Sequence, residues 1–152
     1  MRELKVQPIR NGTVIDHITP GQALRVLRVL GLPRPGSAST ISIVINVPSR
    51  EMKRKDIVKV EDRELDPAEL AQIALIAPRA TINIIREYHV AEKHAVTLPD
   101  KVAGIATCPN TDCVTRGAEP VEPAFDVLKK DPVTLRCAYC ETAFVYEPPQ
   151  PR

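Results

Sequence analysis

Four cysteines constrain this chain more than any other feature. Cys108 and Cys113 are separated by four residues, Cys137 and Cys140 by two, and 23 residues lie between the pairs. Two short loops that each supply two thiolates complete a tetrahedron around a Zn²⁺ ion, and four thiolates leave no position open to water or substrate. Such an ion is structural, and in a module with so small a core its binding is part of the folding free energy. Two disulfides, or four thiols that merely pack, are the alternatives. Closely paired cysteines in a reducing compartment favour metal over either. Iron in a rubredoxin-like centre is the competing ion, and the four-residue spacing of the first pair counts against it. The compartment follows from the N-terminus, which is charged and has no apolar stretch of the kind that directs export. The longest apolar runs, such as residues 41–47, are too short to span a bilayer, so a cytoplasmic protein with no membrane partner is expected.

The chain changes character near Thr97-Leu98-Pro99-Asp100. Before this point there is no cysteine and Tyr88 is the only aromatic residue; after it come all four cysteines with Phe125, Tyr139, Phe144 and Tyr146. Residues 1–96 hold 15 Lys and Arg against 11 Asp and Glu, a balance of +4, whereas residues 97–152 hold 6 against 8, a balance of −2. Two domains, 1–96 and 97–152, are therefore expected, the second a small all-β module with strands over residues 125–128 and 133–136. Its Pro-rich end, residues 148–152, is expected to fray. A zinc ribbon that binds nucleic acid needs a basic surface. The acidic balance of this module favours a protein partner, and a free-standing nucleic-acid-binding ribbon is the weaker reading.

The first domain alternates strands and helices. Leu4-Lys5-Val6 alternates, and residues 13–18 run extended after an Asn11-Gly12 turn. Thr19 as N-cap, Pro20 in the first helical position and Gln22 three after the cap announce a helix with Ala23, Leu27 and Leu30 at helical spacing and Leu24 beside them, stopped by Gly31 and Pro33. Ile41, Ile43, Ile45 and Val47 recur at every second position, and Val44 opposite suggests a strand at least partly buried on both sides. After a basic loop over residues 49–55, residues 57–60 read as its partner strand. Asp66, Pro67 and Glu69 repeat the capping grammar for a second helix, with Leu70, Ile73, Ala74 and Ala77 as its apolar stripe and Pro78 as its end. Residues 80–90 form the last strand. Strand, helix, strand, strand, helix, strand is the split βαβ, ferredoxin-like arrangement, an antiparallel sheet with both helices on one face, so the whole chain is of the α+β class.

No catalytic constellation is present. The first domain has no cysteine, no Gly-x-Ser-x-Gly elbow, no P-loop and no Gly-x-Gly-x-x-Gly. Asp16-His17 resembles an acid/base pair, but no nucleophile or electrophile accompanies it. What remains is a set of polar residues in strand surroundings. Lys55, Ile57 and Lys59 share one strand face, Asn83 interrupts an aliphatic strand, and Tyr88 and Lys93 lie beyond it. An apolar side chain between two lysines suits a flat base with a phosphate tail. The alternative is that the lysines simply face water and Asn83 finishes a turn.

Taken together, Gly12-Thr13-Val14-Ile15-Asp16-His17-Ile18, Arg54-Lys55-Asp56, Ala77-Pro78-x-Ala80-Thr81-x-Asn83, Cys108-Pro109-Asn110-x2-Cys113, Ala118-Glu119-Pro120 and Cys137-x-Tyr139-Cys140-Glu141 resemble the regulatory chains of aspartate carbamoyltransferase, in order and over nearly the whole chain. The resemblance implies a non-catalytic regulatory subunit with an N-terminal ferredoxin-like allosteric domain and a C-terminal zinc domain holding one structural zinc per chain. It implies pairing into regulatory dimers through the N-terminal domains, and zinc domains docked on the trimers of catalytic chains that carbamoylate aspartate in pyrimidine synthesis. Its effectors would be CTP and UTP as inhibitors and ATP as activator. Carried over by position, Asp16, Lys59 and Lys93 are polar contacts of the nucleotide, with His17, Asn83 and Tyr88 beside them. Val6, Ile57, Ile85 and Val90 surround base and ribose, and Asn110, Asp112 and Glu141 face the catalytic chain. Two positions depart: Glu3, with Lys5 near it, stands where relatives can have a basic residue, and Asp112 where they can have Asn.

Overall fold

The computed structural model describes residues 8–119 and 121–147, and the chain divides into two compact units, residues 1–96 and 97–152. The expected strand at Leu4-Lys5-Val6 and the frayed tail fall outside the described residues. The first unit runs β1 (Gly12–Ile18), α1 (Ala23–Val29), β2 (Ile41–Ser49), β3 (Lys53–Glu61), α2 (Pro67–Ile76), β4 (Thr81–Arg86) and β5 (His89–Ala95). All strand pairs are antiparallel in the order β2-β3-β1-β4-β5. The first four strands have the ferredoxin-like order, and β5 extends the sheet beyond β4.

Strand alternation separates two faces. Thr13, Ile15, Val58, Val60, Ile82 and Ile84 are buried and share one face with Ile73, Ala74 and Leu75 of α2 and Ala23, Val26 and Leu27 of α1, the two helices touching each other. Val14, Asp16, Ile57, Lys59, Thr81 and Asn83 alternate with them onto the other face and are only partly covered. Val26 and Leu75 complete a core whose helical stripe the spacing of Ala23, Leu27, Leu70 and Ile73 only outlines, and Leu24 is 59% exposed.

The capping expectation fails at α1 and holds at α2. Asp66 accepts the Glu69 N–H at 2.8 Å and the Glu69 side chain accepts the Asp66 N–H at 3.2 Å, with Pro67 opening the helix. Residues 20–21 instead form a turn, closed by the Gln22 N–H on the Thr19 carbonyl at 3.0 Å, and α1 begins only at Ala23. Its N-terminal N–H groups are satisfied from β3. The fully buried Asp56 accepts from Gly21 and Ala23 through Oδ2, at 2.8 and 3.1 Å, and from Asn46 through Oδ1 at 2.8 Å. β1 and β2 both lose register opposite this residue, with His17 and Asn46 in the left-handed region at φ 56° and 60°. Asp56 thus holds the two bulges as well as the helix end.

β2 is an edge strand and only partly covered: Ile41 and Val44, on opposite faces, are half-buried, while Ile43 is 37% and Ile45 50% exposed. Two further expectations are corrected. Gly12 lies within β1 and not in a turn. Its φ is +150°, and a Cβ there would sit 2.2 Å from the Val60 carbonyl oxygen. Residues 80–90 are not one strand. Arg86 pairs with His89 around a two-residue turn in which Glu87 and Tyr88 both have positive φ, 49° and 68°. That is the twist a tight hairpin requires. The Asn11 side chain and the Arg10 carbonyl hold the two turn N–H groups, at 3.2 and 2.9 Å.

The second unit is a four-stranded antiparallel sheet, β6 (Lys101–Ala103), β7 (Ala124–Lys130), β8 (Val133–Cys137) and β9 (Ala143–Val145), in chain order. β7 and β8 are the strands the apolar runs predict; β6 and β9, three residues each, carry too little pattern to be read. Phe125 is the centre of its core and meets Phe144 edge to face, with ring centroids 5.6 Å apart.

Candidate functional sites

The cysteine loops converge. Cys108 and Cys113 flank the turn before a short 3₁₀ helix (Val114–Arg116), Cys137 ends β8 and Cys140 sits in the turn between β8 and β9. The Cys113 N–H donates to the Asn110 carbonyl and the Glu141 N–H to the Cys137 carbonyl, both at 3.0 Å, so each loop is a hydrogen-bonded knuckle. Arg116 Nη1 braces the first by donating to the Cys108 carbonyl at 2.7 Å. All four sulfurs lie within 4.8 Å of one another, with Cys108–Cys140 at 3.6 Å and Cys113–Cys137 at 3.7 Å. A disulfide needs about 2.05 Å. The edge of a tetrahedron with metal–sulfur bonds of about 2.3 Å is about 3.8 Å, which these two pairs match, and no other pair lies beyond 4.8 Å. As protein groups alone, burial pushes the Cys108 thiol up to about 12, while the Thr115 hydroxyl lowers Cys113 and the Thr142 hydroxyl brings Cys140 down to about 6. A divalent cation bound here would supply the charge that holds all four as thiolates. Asn110, Asp112 and Glu141 belong to these same two loops. Asn110 Oδ1 accepts the Asp112 N–H at 3.0 Å, Glu141 has φ 62°, and Asp112 and Glu141 are exposed.

In the first unit the residues singled out from sequence come together on the sheet face away from the helices. Register aligns Ser42, Lys59, Val14, Asn83 and Lys93 across all five strands. Strands about 4.8 Å apart put the backbones of Lys59 and Lys93 about 14 Å from each other, with Val14 and Asn83 as the floor between two ammonium groups. On one side of this row lies a second, Glu61, Gly12, Ile85 and Val90, where Gly12 contributes no side chain. Tyr88, 63% exposed, stands in the adjoining turn, and Val90 is 57% exposed. On the other side lie Ile57, Asp16 and Thr81.

Asp16 and His17 are tied down. Burial would raise the Asp16 carboxyl, but Lys55 Nζ at 3.0 Å and the His17 N–H at 2.7 Å outweigh it and hold the group below its usual range. His17 Nδ1 lies 2.9 Å from the Thr81 hydroxyl and Nε2 3.5 Å from the Glu51 carboxylate. Lys55, one of the two lysines read from the strand pattern, is absent from the set carried over by resemblance. Its signal was present, since it shares a strand face with Ile57 and Lys59. Val6 falls outside the described residues.

Comparison with known proteins is consistent along the chain. Residues 4–97 match the aspartate carbamoyltransferase regulatory chain allosteric domain, and residues 100–148 the metal binding domain of the same chain. Among curated relatives, the aspartate carbamoyltransferase regulatory chain of Methanothrix thermoacetophila is 56% identical over 140 residues, covering 92% of this chain and 90% of its own length. That of Methanothermobacter thermautotrophicus is 55% identical over 139 residues, covering 91% and 88%. That of Pyrococcus furiosus is 50% identical over 141 residues, covering 93% and 92%. Two matched domains in the right order, near-complete coverage and a converged four-cysteine cluster lead to one conclusion: the chain belongs to the family of aspartate carbamoyltransferase regulatory chains.

Proposed function

We propose that the chain binds nucleoside triphosphates on the open sheet face of its first unit and transmits their binding to catalytic chains docked on its metal module. The observation that carries this reading is the register row in which Lys59 and Lys93 flank Val14 and Asn83. Two cations across a shallow floor suit a triphosphate, whose charge of about −4 they partly neutralise. The smooth strip of Gly12, Ile85 and Val90 suits a flat base, and Ile57 and Asp16 lie where a ribose reaches. CTP and UTP act as inhibitors and ATP as activator because each binds one quaternary state better than the other. A coupling of about 1–3 kcal/mol is enough for several-fold changes in activity.

The ion in the cysteine cluster is zinc: the closed four-thiolate tetrahedron suits it and needs no redox chemistry. It fixes the two knuckles that carry Asn110, Asp112 and Glu141, and this surface meets the trimers of catalytic chains. Edge strand β2, with Ile43 and Ile45 exposed, supports pairing of two regulatory chains through their first units. The setting is the cytoplasm. Size-exclusion chromatography with a matching catalytic trimer tests the assignment. A joint complex that forms with zinc and comes apart on treatment with a mercurial and chelator is expected. Separate elution in the presence of zinc would defeat the reading.

A further inference from the structure

The two metal loops share a feature that the four cysteines do not require. In each, the second cysteine is followed two residues later by a threonine, as Cys113-Val114-Thr115 and Cys140-Glu141-Thr142. The Thr115 hydroxyl donates to Cys113 Sγ at 3.2 Å, and Thr142 Oγ1 lies at the same 3.2 Å from Cys140 Sγ. The first cysteines, Cys108 and Cys137, are fully buried and no side-chain hydroxyl approaches them among the described residues. Cys140 is the most open of the four. Each loop therefore supplies one sulfur without a hydroxyl on it and one with, the latter being buried at Cys113 and half-buried at Cys140.

Four thiolates around a dication leave two negative charges with little water to solvate them. A donor aimed at sulfur spreads that charge and lowers the nucleophilicity of the thiolate it touches. A competing chelator or a soft electrophile starts metal removal at the most open sulfur, Cys140, which carries one of the two hydroxyls; the other sits on Cys113, the second cysteine of the other loop. We propose that Thr115 and Thr142 act as a matched pair of donors to Cys113 and Cys140 and set how slowly this chain gives up its metal. Both residues are positioning residues. The inference rests on the reading of the cluster as a metal site.

The test uses the full chain loaded with zinc or cobalt, with Thr115→Val and Thr142→Val singly and together, Thr→Ser at the same positions, and Thr111→Val as control. Thr111 lies in the first loop but is exposed and away from any sulfur contact. Release of zinc to a colorimetric chelator should quicken about 10-fold or more for each valine variant, in the range of outer-sphere contacts elsewhere. Thr→Ser and Thr111→Val should keep the parent rate. In the cobalt form the sulfur-to-metal charge-transfer bands should move to longer wavelength in the valine variants, a change that loosened packing alone does not produce. Unchanged release and bands, or a valine effect that serine fails to restore, would overturn the inference. A parent chain that takes up no metal would sink the metal-site reading itself.

Discussion

Replacing Asp56 perturbs three segments at once. Its carboxylate takes the N–H groups of Gly21, Ala23 and Asn46 in a fully buried position. Truncation to alanine leaves three donors unsatisfied, each costing about 1–3 kcal/mol when buried, so a loss of about 4 kcal/mol or more is expected. Asp56→Asn is the sharper probe. Its single carbonyl oxygen can still take the two bonds that Oδ2 takes from the α1 end, but its amide then faces the Asn46 N–H, donor against donor. One charge-assisted bond is lost and one repulsive contact added, for about 2–3 kcal/mol. In a unit of about 100 residues each kcal/mol moves the midpoint by about 4–8 °C, so Asp56→Asn should melt roughly 10–20 °C lower. Far-UV circular dichroism follows the first unit, while a cobalt–thiolate band follows the second, because two units need not unfold together. A substitution that shifts the first transition by less than about 3 °C would refute the assignment of Asp56 as the common anchor of α1 and both bulges.

Other consequences are as concrete. Gly12→Ala forces a Cβ onto the Val60 carbonyl oxygen at a φ of +150°, so a destabilisation of about 3 kcal/mol or more is expected in urea titration. Metal removal should abolish the structure of the second unit while the circular dichroism of the first persists, because Phe125, Phe144 and Leu135 form too small a core alone. A carboxyl held below its unfolded pKa contributes stability that is complete above that value and is lost as pH falls through the folded one. For Asp16 the unfolded value is about 3.9, so parent and Asp16→Asn should differ constantly from pH 7 to 5 and converge below about pH 4 in denaturant titrations.

Sequence carried the architecture further than it carried the joints. Strand alternation, the Asp66-Pro67-Glu69 cap and the cysteine pairs are local signals, and each appears in the structure. The start of α1 was misread because Thr19-Pro20 imitates a cap, whereas the acceptor that serves the helix comes from β3, more than 30 residues away. The β4–β5 turn was invisible because Glu87 and Tyr88 are not the glycine or asparagine that usually accept positive φ. Tertiary bonds from Asn11 and Arg10 hold them there. Among candidate nucleotide residues, periodicity assigned Ile57 and Lys59 to one face, but only the register brings Lys59, Asn83 and Lys93 into one row. The Lys55–Asp16 pair, by contrast, is a contact across the β1 bulge that no spacing announces.

On the proposed function, nucleotides bound to the row of Lys59, Asn83 and Lys93 act on the catalytic chains. Aspartate saturation of the complex reconstituted with catalytic trimers, measured with and without CTP, UTP and ATP, tests it most directly, with Lys59→Ala and Lys93→Ala chains in parallel. The parent complex should show nucleotide-dependent shifts of the half-saturating aspartate concentration, and both variants should assemble normally yet lose most of the shift. A fully assembled parent complex whose saturation curve ignores all three nucleotides, or variants that respond as the parent does, would contradict it.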